Sequence, residues 1–116
     1  MIVAVQGSNN FDDYTVFLRS MAVALSGMAD SDKELHVYSV GPTKVNNFVS
    51  EFCNLTEKGF KGRGKKVKYY KAQQDWVADN IQVVNYFAYL CNEKEHPSKL
   101  VATAQLNNVE IGIFRY

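Results

Sequence analysis

Ile2-Val3-Ala4-Val5-Gln6-Gly7-Ser8-Asn9-Asn10-Phe11 opens the chain and decides how the rest of it is arranged. The consecutive small or branched apolar residues Ile2 to Val5 suffice for one buried strand and are too few for a helix. Gly7 breaks the run, and the short polar residues after it tolerate tight turns and offer hydrogen bonds. Asp12 and Asp13 follow as N-cap candidates, ahead of an apolar-periodic segment that starts at Tyr14. A buried strand, a Gly-polar turn and a helix start, in that order, open a Rossmann-like sheet at the place where such sheets hold ligands.

Beyond that stretch, Phe17, Leu18, Met21, Leu25 and Met28 recur at helical spacing, which predicts an amphipathic helix over Tyr14 to Met28. Glu34 to Val40 reads as a second strand, with Leu35, Val37 and Val40 as its apolar contributors. Gly41-Pro42-Thr43 ends that strand, and Thr43 is placed to cap a second helix with the stripe Val45, Phe48, Val49 and Phe52, running to about Lys58. The glycine-interrupted segment from Lys58 to Lys66 reads as a flexible basic loop, and Val67 to Tyr70 as a third strand. Asp75 or Asp79 then caps a third helix whose inner face is Val77, Ile81, Val84, Ala88 and Cys91. Residues 92–97 form a polar break. Leu100 to Ala104 is strand-like, Asn107-Asn108 is a turn that tolerates positive φ, and Val109 to Phe114 is the last strand. The order βαβαβαββ predicts an α/β class: one Rossmann-like domain over residues 1–116. Its sheet is mainly parallel with the first strand central, helices lie on both faces, and a C-terminal antiparallel hairpin is open to the last two strands.

The totals narrow the function classes. A chain of 116 residues with 47% hydrophobic and 22% charged residues is an ordinary folded domain, and a net charge of +1 excludes a uniformly basic or acidic protein. Cys53 and Cys91 lie inside apolar patterns without metal or redox spacing and read as buried reduced thiols, so no metal site is legible. No apolar run nears the length of about 20 residues that spans a bilayer, and the N-terminus lacks a basic n-region and a cleavage site. The expected location is the cytoplasm.

Chemistry concentrates in two places. In an open α/β sheet the ligand sits beyond the carboxyl ends of the strands, which selects the loops Gly7-Ser8-Asn9-Asn10 and Gly41-Pro42-Thr43-Lys44 as candidate ligand-binding residues. Glycine lets backbone approach a phosphate, free helix N–H groups point at it, and Ser8, Thr43 and Lys44 add contacts; turn and cap duty explains the same residues without a ligand. The second place is the basic segment, where seven of the thirteen basic residues fall between Lys58 and Lys71. Lys61, Arg63, Lys65 and Lys66 beside Phe60, Tyr69 and Tyr70 make a weak nucleic-acid signal. A solvated helix exit joined to a lysine-guarded edge strand is the reading preferred for it. His36 and His96 belong to no dyad or ligand motif, Tyr86, Phe87 and Tyr89 read as helix packing, and Trp76 reads as packing at a helix start.

Gly7-Ser8-Asn9-Asn10-Phe11-Asp12-Asp13-Tyr14 resembles the opening loop of the SLOG superfamily, Rossmann-like domains related to the DprA and LOG proteins. In the small stand-alone branch a Gly-Ser-Arg-Asp-Phe type loop follows the first strand and a glycine-rich loop follows the second. Here Tyr38-Ser39-Val40-Gly41-Pro42 occupies the place of the second loop with one glycine. That branch also starts a later helix with an Arg-Asn pair; Asn80 or Asn85 stands at the Asn, neither preceded by Arg. The resemblance covers roughly Ile2 to Cys91 and implies a domain that binds a nucleotide or nucleotide-derived ligand. The chain, especially Ser50-Glu-Phe-Cys-Asn-Leu55 and Val109-Glu-Ile-Gly-Ile-Phe-Arg-Tyr116, is also similar to small uncharacterised proteins of cyanobacterial myoviruses, which implies a bacteriophage protein acting in host cytoplasm.

Three functions follow as expectations. The first is a binding module for a nucleotide-like small molecule, without catalytic residues or cofactor. The second is a degenerate SLOG-like interaction protein that binds a host protein or nucleic acid, and the third is a nucleotide or N-glycoside hydrolase. A homodimer or larger assembly is expected through the C-terminal strand edge or the outer aromatic face of the third helix. Neither a membrane nor, on the solvated-loop reading, a nucleic acid is expected as partner.

Overall fold

The computed structural model describes residues 1–92 and 98–116. Its strands are β1 (Ile2–Gly7), β2 (Glu34–Gly41), β3 (Lys66–Lys71), β4 (Tyr86–Cys91) and β5 (Glu110–Arg115). They form one sheet in the order β3-β2-β1-β4-β5, and every neighbouring pair is parallel. β1 is central, as its uninterrupted apolar run requires, and Val3, Ala4 and Val5 are fully buried. The helices are α1 (Tyr14–Leu25), α2 (Thr43–Lys61), α3 (Gln74–Asp79) and α4 (Lys99–Leu106), with a 3-10 turn at Ile81–Val83.

Alternation along β1 divides the core. Val3 and Val5 join Phe17 and Met21 of α1 and Val45 and Val49 of α2 on one face of the sheet. Ala4 points to the other face and joins Val77, Ile81, Phe87, Leu100 and Val101. Asp13 caps α1 by accepting a hydrogen bond from the Val16 N–H at 3.0 Å, which satisfies one of the helix's orphan donors. No helix among the described residues is long and apolar enough to cross a membrane.

Several local expectations are corrected. The third helix stops at Asp79, and Tyr86–Cys91 is instead a strand buried along its whole length. Tyr86, Phe87 and Tyr89 therefore fill the core and offer no outer helical face for a dimer. Leu100 to Ala104 belongs to α4, not to a strand, and β5 runs parallel to β4, so no C-terminal hairpin forms. Asn108 does take positive φ (57°), but it ends α4 rather than turning a hairpin. Pro42, not Thr43, stands at the N-cap of α2, and Gln73, not Asp75 or Asp79, at that of α3. α2 continues through Gly59 to Lys61, which absorbs half of the expected basic loop into a helix. Of the expected polar break, residues 93–97, with His96, lie outside the described residues.

Both cysteines are buried and neither forms a disulfide, and burial pushes the Cys53 thiol up to about 12. Folded protein at about pH 8 should therefore take up iodoacetamide at neither thiol, and denatured protein at both, as mass spectrometry reads directly. The folded-state value lies above the unfolded one. The stability it contributes is intact below the ordinary thiol range and is lost as pH climbs towards about 12.

Candidate functional site at the carboxyl ends of the strands

The chain moves outward from β1 to β2 and β3, then crosses back to β4 on the other side of β1. The crevice between β1 and β4 is therefore the topological switch point, where ligands of open α/β sheets bind. Ser8 sits there: its N–H extends the pairing of the two strands by donating to the Leu90 carbonyl at 2.8 Å. The residue is 93% removed from solvent, yet its Oγ has no hydrogen-bond partner among the described residues. A buried hydroxyl left in that state costs about 1–3 kcal/mol.

Next to it, Gln6 forms a polar cluster on the α3/α4 side. The Ser98 hydroxyl donates to Gln6 Oε1 at 2.6 Å, and Gln6 Nε2 donates to Gln74 Oε1 at 3.2 Å. One residue of β1 thus ties the N-terminal ends of α3 and α4 together. The sequence reading missed this cluster. Its signal was a glutamine closing an otherwise apolar central strand, where a polar side chain needs partners.

The two predicted loops meet, but less openly than a phosphate cradle requires. β2 carries one extra residue after Ser39, so Gly41 rather than Val40 faces Gln6, and Gly41 takes φ +102°, which favours glycine. The buried Ser39 hydroxyl donates to Asn46 Oδ1 at 2.6 Å and fastens the first turns of α2 to the strand. Lys44 reaches across to Asp12 at 2.7 Å, an exposed ion pair joining the loops. Asn9, Asn10, Thr43 and Lys44 are exposed, Pro42 is half-buried, and Gly7, Ser8 and Gly41 are buried.

Gly7 has a packing duty. A Cβ built on it would lie 2.5 Å from Val45 Cγ2, 3.5 Å from Phe11 Cβ and 3.6 Å from Pro42 Cδ. Phe11 itself turns back into the core, edge-on to Phe48 and Tyr116, and the Tyr116 hydroxyl donates to the Asn10 carbonyl at 3.0 Å. The space over Gly7 is filled by side chains of the same chain.

The basic segment divides differently from the way its sequence suggests. Phe60 is buried with Arg63 over its ring at 5.1 Å, and Tyr69 packs on the α2 side of the sheet. Tyr70 points to the opposite face. There it stacks on Tyr38 (4.5 Å, 12°) and, more distantly, on His36 (5.7 Å), whose Nδ1 lies 3.0 Å from the Tyr70 hydroxyl. Trp76, 44% exposed, continues the column on Tyr38 at 4.8 Å. These rings border a cavity of about 420 Å³ lined also by Lys71 and Gln73. Desolvation, then the neighbouring Tyr70, raises the Tyr38 hydroxyl above its ordinary range.

Asn80 follows α3, its amide donating to the Trp76 carbonyl, and Asn85 precedes β4, its side chain accepting from the Ile2 N–H; neither starts an α-helix. No group of three or more metal-ligating side chains occurs among the described residues. Comparison of the chain with protein-family models, with curated proteins and with solved structures returns no match.

The close approach of α2 to β1 makes a direct prediction. Gly7→Ala should lower stability by about 1–3 kcal/mol, because the added methyl must displace Val45. Combined with Val45→Ala it should cost clearly less than the sum of the two single changes, a coupling of about 0.5–3 kcal/mol in denaturant melts. Strict additivity would place the strain elsewhere.

Proposed function

We propose that the chain is a small Rossmann-like binding module that takes a nucleotide or nucleotide-derived ligand at the crevice between β1 and β4, without converting it. The observation that carries this reading is the buried Ser8 hydroxyl at the switch point, which has no partner among the described residues. Folding strands a hydrogen-bonding group there at a cost, which a ligand hydroxyl or phosphate oxygen removes. The first turn of α2 supports the phosphate end: no side chain among the described residues caps it, and Thr43 and Lys44 stand exposed beside its first N–H groups. The resemblance of Gly7 to Tyr14 to the SLOG opening loop supports the ligand class.

One observation favours a second reading. Val45, Phe11 and Pro42 fill the space over Gly7 that a close phosphate contact uses. This suits a degenerate SLOG-like domain that keeps its core and binds a host protein.

Thermal shift against nucleotides, nucleotide sugars and cyclic nucleotides at about millimolar concentration separates the two, since a ligand specific to the folded state raises Tm. Ser8→Ala carries the sharper expectation because it acts in opposite directions on the two states. Removing an unsatisfied hydroxyl should stabilise the unliganded protein by about 1 kcal/mol or more, roughly 3–6 °C in Tm for a chain of this length. The same change should weaken the ligand roughly three- to tenfold. A lowered Tm in unliganded Ser8→Ala would mean that the hydroxyl is satisfied within the fold, and silence across the panel would leave the interaction reading in place.

A further inference from the structure

The two faces of the sheet are covered unequally. α1 and α2 are 12 and 19 residues long, whereas α3 and α4 on the opposite face have 6 and 8. That opposite face is left open over β3 and the outer half of β2. Its side chains are not the aliphatic ones that a missing helix would leave behind. The register sets Lys66 beside Glu34, Lys68 beside His36 and Tyr70 beside Tyr38. Cations therefore occupy one end of the face and stacked rings the other, with Trp76 extending the rings and Lys71 on the cavity beside them.

The cations continue past the rings. Lys61, Lys65, Lys66 and Lys68 line a second concavity of about 430 Å³ along the β3 edge, opposed there by Glu57. Lys68 is held by Glu34 at 3.2 Å and Lys65 by the Ala29 carbonyl at 3.3 Å. Lys61, Lys66 and Lys71 have no ion pair among the described residues. An aromatic column bordered by a row of exposed lysines, Lys68 shared with Glu34, has the two parts that a single strand requires, ring surface for unpaired bases and cations for the phosphates between them.

We propose that this open β2–β3 face binds single-stranded nucleic acid, with bases against Tyr38, Tyr70 and Trp76 and the backbone along Lys66, Lys68 and Lys71. The site is separate from the crevice at Ser8 and does not depend on a ligand there. A second copy of the chain fits the face less well, because a two-fold contact sets the same lysine row against itself. Duplex fits less well too, because its bases already stack on one another and offer the rings no free surface. The cavity of about 420 Å³ lies within the range of about 300–1,000 Å³ typical of small-ligand sites, so it has room for a base.

Trp76 is the single tryptophan of the chain, so its fluorescence reports on this face alone. Mixed-sequence RNA and DNA single strands of about ten nucleotides, and their duplexes, are titrated at low and rising salt. Tryptophan quenching and fluorescence anisotropy are read together. Quenching by one or both single strands, with weaker binding of duplex, is expected, and the stronger of the two identifies the natural class. Tyr70→Ala should weaken binding roughly 5- to 150-fold, the loss of one stacked base. Lys66→Ala with Lys71→Ala, at exposed positions that leave the core untouched, should reduce the slope of log affinity against log salt by about 1.4. Arg19→Ala, exposed on α1, should leave binding unchanged. If Tyr70→Ala fails to fold by circular dichroism, the lysine pair and the tryptophan signal still decide the matter. The proposal is overturned by absence of binding at low salt, or by wild-type affinity in folded Tyr70→Ala. It is equally overturned by a dimer in light scattering that the Lys66/Lys71 variant dissolves.

Discussion

β1 is hydrogen-bonded on both sides and covered on both faces, and that double burial constrains every residue in it. Val3 and Val5 must fit under α1 and α2, while Ala4 must fit under the shorter helices opposite. At the strand's end the same alternation continues with residues of another kind. Gly7 faces α2, where only a hydrogen leaves room for Val45, and Gln6 faces α3 and α4, where it is bonded to Gln74 and Ser98. Ser8, one step beyond, is still buried, but its hydroxyl has no partner among the described residues. The transition from packing to chemistry thus occurs within three consecutive residues. It occurs there because a central strand cannot leave the core until it has passed both helix layers.

The unequal helices have the second largest consequence. On the α2 side of β2, Leu35, Val37 and Ser39 are fully buried; on the other side Glu34, His36 and Tyr38 are only half-buried. β3 is an edge strand, and lysines at such an edge disfavour pairing with another chain. Edge protection and affinity for an anionic strand call on the same charges, so the lysines alone do not separate the two roles. The aromatic column does, since Tyr38, Tyr70 and Trp76 contribute nothing to edge protection.

The first half of the fold was legible in the sequence because its periods are unambiguous. Ile2 to Val5 is too short for a helix, and Phe17, Met21, Val45 and Val49 fall on one helical stripe each. The second half misled because a parallel strand buried on both faces loses its alternation. Tyr86–Cys91 is apolar throughout, and with Val77, Ile81 and Val84 before it the run mimics a period of three to four. Leu100, Val101 and Ala104 include a β-branched residue and read as a strand, yet they bury one helical stripe against the sheet. At the carboxyl ends, the loops after β1 and β2 were legible as places. The filled space over Gly7 was not, because it depends on how closely α2 approaches. Nor was the ring column, whose members come from β2, β3 and α3 and meet only through the strand register.

α3 shows how little chain is needed to connect these features. Within six residues it sends Gln74 to the polar cluster under β1, Trp76 to the ring column and Val77 into the core. Residues one and two apart on a helix point in different directions, so Trp76 is turned away from the side that Gln74 and Val77, three apart, share. The same brevity leaves β3 uncovered. A helix long enough to bury that face would have needed apolar partners at His36, Tyr38, Lys68 and Tyr70, and the sequence supplies rings and charges at those positions instead. The short helix and the polar, aromatic composition of the strands beside it are therefore one feature, expressed once in the helix and once in the sheet.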